Sequence, residues 1–314
     1  MRLPDRILSC VGFISHDQAE IRYGGTVFVV GIDGSNDNVF LHFVTAAHVA
    51  EKVEGGPWII GMNGKDGGRI LLRSGNAPWW YHPTEKSSVD VAVTLFASGI
   101  LEEYDLEWIP EVMFATDKNI KHYDIGIGDE INAIGLFTRF HGSKRHWPIV
   151  RTGNIAMMPT DKIPVKGFGE IDAYLAEGRS IGGLSGSPVF VRNTVNMPVM
   201  TAKREPEIIS GLGPLHFLGL MHGHWETPIG FNSAEQVEAV NMGISIVVPA
   251  KKILEVLYHP ELVAMRKKYD DAIKDEKAPV ADTVLTKEQS QTFTQHDFET
   301  ALKKASRRVE SPQK

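Results

Sequence analysis

From about residue 11 to residue 110 the chain alternates short apolar runs with clusters of turn formers, and this period predicts antiparallel strands. The runs 26–30 and 39–44 flank Asp33-Gly34-Ser35-Asn36-Asp37-Asn38, residues that accept positive φ, so a hairpin is expected there. Runs 58–62 and 69–72 repeat the arrangement around Asn63-Gly64 and Gly67-Gly68. The pattern lapses between Pro110 and Tyr123, which reads as a connection, and resumes in 128–135 and 149–156. Residues 193–206 are long and polar enough for a mobile surface loop, and 217–223 and 243–249 read as two closing strands. From Ala250 the period becomes helical through Ile253, Val256 and Leu257, and Pro260 ends that helix and opens another through Lys268. Residues 271–292 are polar and carry Pro279, as a linker would. Thr294 to Asp297 would cap a short helix with Phe298, Ala301, Leu302 and Ala305 on one face; a frayed tail fits the same residues. The pattern is that of an all-β protein with helices at its C-terminal end.

Composition narrows the partners. A chain of 314 residues, 42% hydrophobic, can bury two modest domains, and its formal charge of −6 carries no long block of one sign. Nucleic acid and bilayer surfaces are therefore disfavoured as partners. Residues 1–6 lack the apolar core of a signal peptide, no run reaches membrane-spanning length, and the single Cys10 makes no internal disulfide. A cytoplasmic location is expected on those grounds.

The chemistry gathers at Gly182-Gly183-Leu184-Ser185-Gly186-Ser187-Pro188. A serine hydroxyl is a weak nucleophile unaided, and glycines around one allow a tight turn whose backbone N–H groups converge on a developing oxyanion. Such a serine needs a base. The run 43–49, Phe-Val-Thr-Ala-Ala-His-Val, leads an apolar strand into His48, and Asp90 stands inside the apolar run 88–93. Each motif is common alone; His48, Asp90 and Ser185 together and in that order are specific.

These three motifs, TAA before the histidine, DxAx at the acid and GxSGxP at the serine, resemble the trypsin/chymotrypsin-like serine proteases, of the bacterial trypsin-like peptidase type. The resemblance covers roughly residues 10–250 and implies two six-stranded antiparallel β-barrels. One would span 8–115 and carry His48 and Asp90; the other would span 123–250 and carry Ser185. A C-terminal helix at 250–270 and a linker and tail at 271–314 would follow. In that family Ser185 would attack the scissile carbonyl, His48 would move the proton, Asp90 would orient His48, and the N–H groups of Gly183 and Ser185 would hold the oxyanion. No metal or organic cofactor is implied. Leu184 stands where zymogen-activated members carry an aspartate, so activation by a freed N-terminus is not expected, and Ser187 replaces a second glycine. Arg179 and Ser180 fall at the base of the primary pocket, where a guanidinium favours an acidic P1 side chain. Alternatively, Arg179 turns outward onto Glu177 or Asp172. His222 and His224 lie on the pocket-wall strand as further substrate-binding candidates.

The expected partners are a protein or peptide substrate and a regulatory protein that would activate the enzyme by reshaping the turn at Gly182-Gly183-Leu184, since a cell has reason to hold an endopeptidase inactive until then. The competing reading is a protease-fold binding or scaffold protein without turnover. His222-Gly223-His224 lacks a nearby third ligand and reads as structural before it reads as a metal pair. His82, before Pro83, reads as a turn hydrogen bond, and Trp79-Trp80-Tyr81 as core.

Overall fold

The apolar runs of the first third assemble into one eight-stranded sheet. The structure is a computed structural model that describes residues 3–35, 38–74, 77–96, 101–178, 183–192, 197–200, 206–209, 214–228 and 239–275. Its first sheet contains β1 (Val11–His16), β2 (Gly25–Asp33), β3 (Val39–Thr45), β4 (Trp58–Asn63), β5 (Arg69–Arg73), β6 (Trp80–Tyr81), β7 (Ala92–Leu95) and β8 (Ile109–Pro110). The hydrogen-bonded order is β5-β4-β1-β2-β3-β7-β6, with β8 parallel to β2. The β2–β3 hairpin has the expected register, from Phe28 opposite Val44 to Asp33 opposite Val39. Residues 27–30 are all fully buried, because the sheet is covered on both faces there and alternation gives way to a continuous apolar run. At the outer strand β5 the chain keeps charges, Arg69 and Arg73, at both ends. One short helix, α1 (Ala47–Val53), follows β3 directly and carries His48 in its first turn.

The second half begins with α2 (Asp117–His122), capped by the Thr116 side chain, which accepts from the Asn119 N–H. Next come β9 (Glu130–Gly135), β10 (Ile149–Met157), β11 (Ile163–Val165), β12 (Gly169–Ile171), β13 (Tyr174–Glu177) and β14 (Pro188–Arg192). The remaining strands are β15 (Met197–Met200), β16 (Pro206–Ile209), β17 (Leu215–Pro228) and β18 (Ala239–Pro249). Six of these close a barrel in the order β10-β13-β18-β17-β14-β9. The pairs β11–β12 and β15–β16 stand outside it as separate hairpins. The second of them overlaps the stretch expected to be a mobile loop, with β15 inside it and β16 beginning at its end: Met197 pairs opposite Ile209 and Met200 opposite Pro206.

One of three apolar clusters joins the halves, with Phe217 of the barrel packing against Phe28 of the sheet at 5.3 Å and against Phe114 of the connection at 4.8 Å. The C-terminal helices close over this core. In α3 (Ala250–Leu257) the residues Ile253, Val256 and Leu257 are fully buried, as their spacing predicts. α4 (Pro260–Asp275) runs past Lys268 into the region expected to be linker. The reason is tertiary. Arg266 donates to His42 Nε2 at 3.0 Å, and Asp270 accepts the Ser35 N–H at 2.9 Å, so the polar face of α4 is anchored to the β2–β3 hairpin. Burial, then the neighbouring guanidinium, pushes His42 down to about 3, which leaves its ring neutral and free to accept. The expected helix at 294–305 lies outside the described residues. Among the described residues no helix is long and apolar enough to cross a membrane.

Candidate active site

Three chain segments deliver the polar cluster: the start of α1, the two residues before β7, and β17. The α1 helix turns immediately after β3, so the His48 backbone N–H and its ring face the same way. Asp90 Oδ1 accepts that backbone N–H at 3.0 Å, and Asp90 Oδ2 accepts from His48 Nδ1 at 2.8 Å. Asp90 belongs to the extended stretch that leads into β7, which begins at Ala92. Its carboxylate is fully buried, whereas the His48 side chain is 24% exposed. An ionised carboxylate only accepts hydrogen bonds, so the proton of neutral His48 sits on Nδ1 and leaves Nε2 as a lone pair. Among the described residues nothing hydrogen-bonds that Nε2.

His222 occupies the other side of the same carboxylate. Its Nδ1 lies 2.5 Å from Asp90 Oδ2, and its side chain is 12% exposed. Burial alone would push the Asp90 carboxyl up, but the hydrogen bonds from His222 and His48 outweigh it and hold the group well below the usual carboxylate range. The rings of His48 and His222 meet edge to face with centroids 5.4 Å apart. Phe168, on the turn of the β11–β12 hairpin, packs against both, at 6.4 Å from His48 and 5.0 Å from His222.

The serine turn is held from the opposite half of the molecule. The Thr26 N–H donates to the Ser185 carbonyl at 3.0 Å. The hydroxyl of Thr26 donates to the Gly183 carbonyl at 2.8 Å and accepts from the Leu136 N–H at 2.9 Å. Met221 secures the other flank, its carbonyl accepting from the Gly186 N–H at 2.8 Å and its N–H donating to the Ser187 carbonyl at 2.9 Å. Gly183 and Gly186 have φ of 97° and 84°, conformations that side chains resist. Space is also short. A Cβ at Gly186 would meet the Thr26 carbonyl oxygen at 2.2 Å, and one at Gly183 would meet Thr138 Cγ2 at 2.8 Å. Leu184 is fully buried in the barrel core, where a carboxylate would be stranded.

Ser185 Oγ donates to the His222 carbonyl at 3.0 Å and is not hydrogen-bonded to His48. The three residues expected to act together therefore converge, but the serine-to-histidine link runs through His222. His222 itself departs from the pocket-wall role expected for it, since its ring is turned onto Asp90. His224 stands farther along β17, opposite Ser245 of β18. Arg179, Ser180 and Gly182 lie outside the described residues.

The described residues hold a second histidine and carboxylate cluster. His82 Nδ1 accepts the Glu85 N–H at 2.9 Å, the turn hydrogen bond expected of it, and Nε2 donates to Glu255 Oε2 at 2.7 Å. His82, Glu85 and Glu255 have the spacing of a cation site, and the Lys252 ammonium already fills that need, 2.7 Å from Glu85 and 3.0 Å from Glu255. The atoms of His48, Asp90 and His222 are as close, but a cation among them would have to displace the Nδ1 protons that both histidines direct at Asp90.

No protein-family model and no curated protein matches the chain. Among solved structures it is similar to the MamO protease domain from Magnetospirillum magneticum, at 14% identity over 80% of this chain and 97% of that one, TM-score 0.48. It is similar also to Deg5, at 15% identity over 79% of this chain and 87% of that one, TM-score 0.45. Human heparin binding protein is similar at 8% identity over 90% and 98%, TM-score 0.42. Likeness at this level speaks neither to substrate nor to activity.

Sequence reasoning found His48, Asp90, Ser185 and Gly183 but passed over Thr26 and Phe168. A threonine at the head of an apolar strand gives no sign that it will bond to a turn 157 residues away. Phe168 lies between Gly167 and Gly169, both at positive φ; an aromatic residue between glycines at a hairpin tip was the available signal.

Proposed function

We propose that this chain is a trypsin-like serine endopeptidase working through Ser185, His48 and Asp90. The observation that carries the reading is the His48 ring, tied through Nδ1 to a fully buried carboxylate while, among the described residues, nothing hydrogen-bonds its Nε2; Ser185 meets the same cluster through the His222 carbonyl. In the reaction Ser185 Oγ bonds to the scissile carbonyl carbon as its proton passes to His48 Nε2, and Asp90 stabilises the resulting imidazolium. The N–H groups of Gly183 and Ser185 hold the oxyanion. The C–N bond then breaks, the leaving amine takes the proton from His48, and water hydrolyses the acyl-enzyme by the same relay. In this reading Arg179 and Ser180 supply a preference for an acidic P1 residue, with His224 as a further donor.

One observation favours a second reading, a restrained or silent protein: the Ser185 hydroxyl rests on the His222 carbonyl. The hydroxyl has to leave that carbonyl before it can give its proton to His48, so the arrangement suits an enzyme whose nucleophile is armed by substrate or by a regulatory protein. The deciding experiment is fluorophosphonate labelling of the full chain and of Ser185→Ala, with and without cell lysate. Labelling of the wild type alone, lost in the variant, is expected. Labelling only with lysate places a partner in control, and none under either condition overturns the peptidase reading in favour of the scaffold.

A further inference from the structure

Asp90 is shared. Its carboxylate takes three N–H donors, the backbone and ring of His48 and the ring of His222, and both rings reach the same oxygen, at 2.8 and 2.5 Å. A histidine needs only one carboxylate oxygen to fix its tautomer, so the second imidazole is surplus to the relay described above. It is also placed where it touches the remaining member, because the carbonyl of the same residue receives the Ser185 hydroxyl. His222 is thus bonded to the acid through its side chain and to the nucleophile through its backbone. Phe168 packs on its ring and limits the room for it to turn away.

We propose, resting on the peptidase reading, that His222 is a positioning residue: the second donor to Asp90, which divides that carboxylate between two imidazoles and fixes where Ser185 rests. One buried carboxylate stabilises one imidazolium well and two poorly, since the second cation would face the first across 5.4 Å between ring centroids. Among the described residues the titratable groups facing the His222 ring are Asp90 and His48; Phe168 packs on it as well and adds no charge. While His222 holds Asp90, the carboxylate is a weaker partner for a protonated His48. Removing the His222 ring returns the whole carboxylate to His48, so protonation of His48 persists to higher pH. The acid limb of the serine's reactivity then moves upward.

The test uses the full-length wild type, His222→Phe, His222→Asn and His48→Gln. Imidazole Nδ1 protons held on a carboxylate exchange slowly with water and resonate far downfield in proton NMR. Two such signals are expected in the wild type, with one lost in both His222 variants and the other lost in His48→Gln. Kinetically, His222→Phe should lower the fluorophosphonate labelling rate about ten-fold, the worth of one charge-assisted hydrogen bond. The pH of half-maximal labelling should rise, by up to about one unit. His222→Asn keeps an uncharged N–H donor and should restore the rate to within about three-fold of wild type. A single downfield signal in the wild type, or a spectrum unchanged by either His222 substitution, overturns the proposal. So does a labelling profile in His222→Phe that falls in rate without moving on the pH axis, the mark of a merely structural role. If His222→Phe does not fold, the spectrum of His222→Asn decides the same point. The NMR signature needs no turnover: two signals without labelling reject the peptidase and leave the shared carboxylate standing.

Discussion

Two histidine–carboxylate clusters stand among the described residues, and they differ in what they leave over. Around His82 every valence is used. Nδ1 accepts from the Glu85 and Thr84 backbone, Nε2 donates to Glu255, and Lys252 balances both glutamates. The side chain is only 5% exposed, and its bonds join the turn before Asp90 to α3. Around Asp90 the opposite holds. His48 and His222 both point Nδ1 at the carboxylate, and His48 Nε2 remains a partially exposed lone pair. A saturated histidine fixes the chain in place; one with an unspent nitrogen can take a proton.

The largest expected effect breaks the comparison at its root. His48→Gln should cut fluorophosphonate labelling by about 10⁴-fold or more, since it removes the base. His82→Leu should leave the labelling rate within a few-fold while costing about 1–3 kcal/mol of stability, because it leaves the Glu85 N–H without its acceptor and takes one of two donors from Glu255. Equal losses of labelling in the two variants would mean that the clusters do not divide the work this way.

A middle-sized effect is legible in acid. Because Asp90 is held below the ordinary carboxylate range, its contribution to folding is fully present above about pH 4, the value for an unfolded aspartate, and drains away as pH falls toward the depressed folded value. Denaturant unfolding of wild type against Asp90→Asn should show the stability gap closing by about 1 kcal/mol per pH unit below pH 4. Parallel curves for the two proteins would contradict the bonding drawn around Asp90.

The smallest effect belongs to the saturated cluster. Lys252 is drawn upward in proton affinity, since its hydrogen bonds to Glu85 and Glu255 outweigh the burial that lowers it, but both glutamates are about one-third exposed and water screens the pair. Lys252→Met should therefore cost under about 1 kcal/mol in thermal unfolding and leave labelling untouched. A much larger loss would show that the turn before Asp90 depends on this lysine.

Local chemistry made much of this readable from the residues alone. Period-two runs placed β2, β3, β4 and β5, because a half-buried strand must alternate and a doubly covered one must be apolar throughout. The helical period of α3 and the break at Pro260 follow from spacing and from the proline ring. His48, Asp90 and Ser185 were legible as a set because each stands in a recognisable local frame, a TAA run, a DxAx run and a glycine-flanked turn. What tertiary structure decided were relations across long sequence separations, which no window of residues encodes: Arg266 on His42, which carries α4 on to Asp275; Thr26 on the Gly183 turn; Phe168 over the two rings. Above all, packing of the barrel against the sheet turned His222 away from a pocket wall and onto a carboxylate 132 residues distant. The sequence says that His222 can donate, and only the fold says to what.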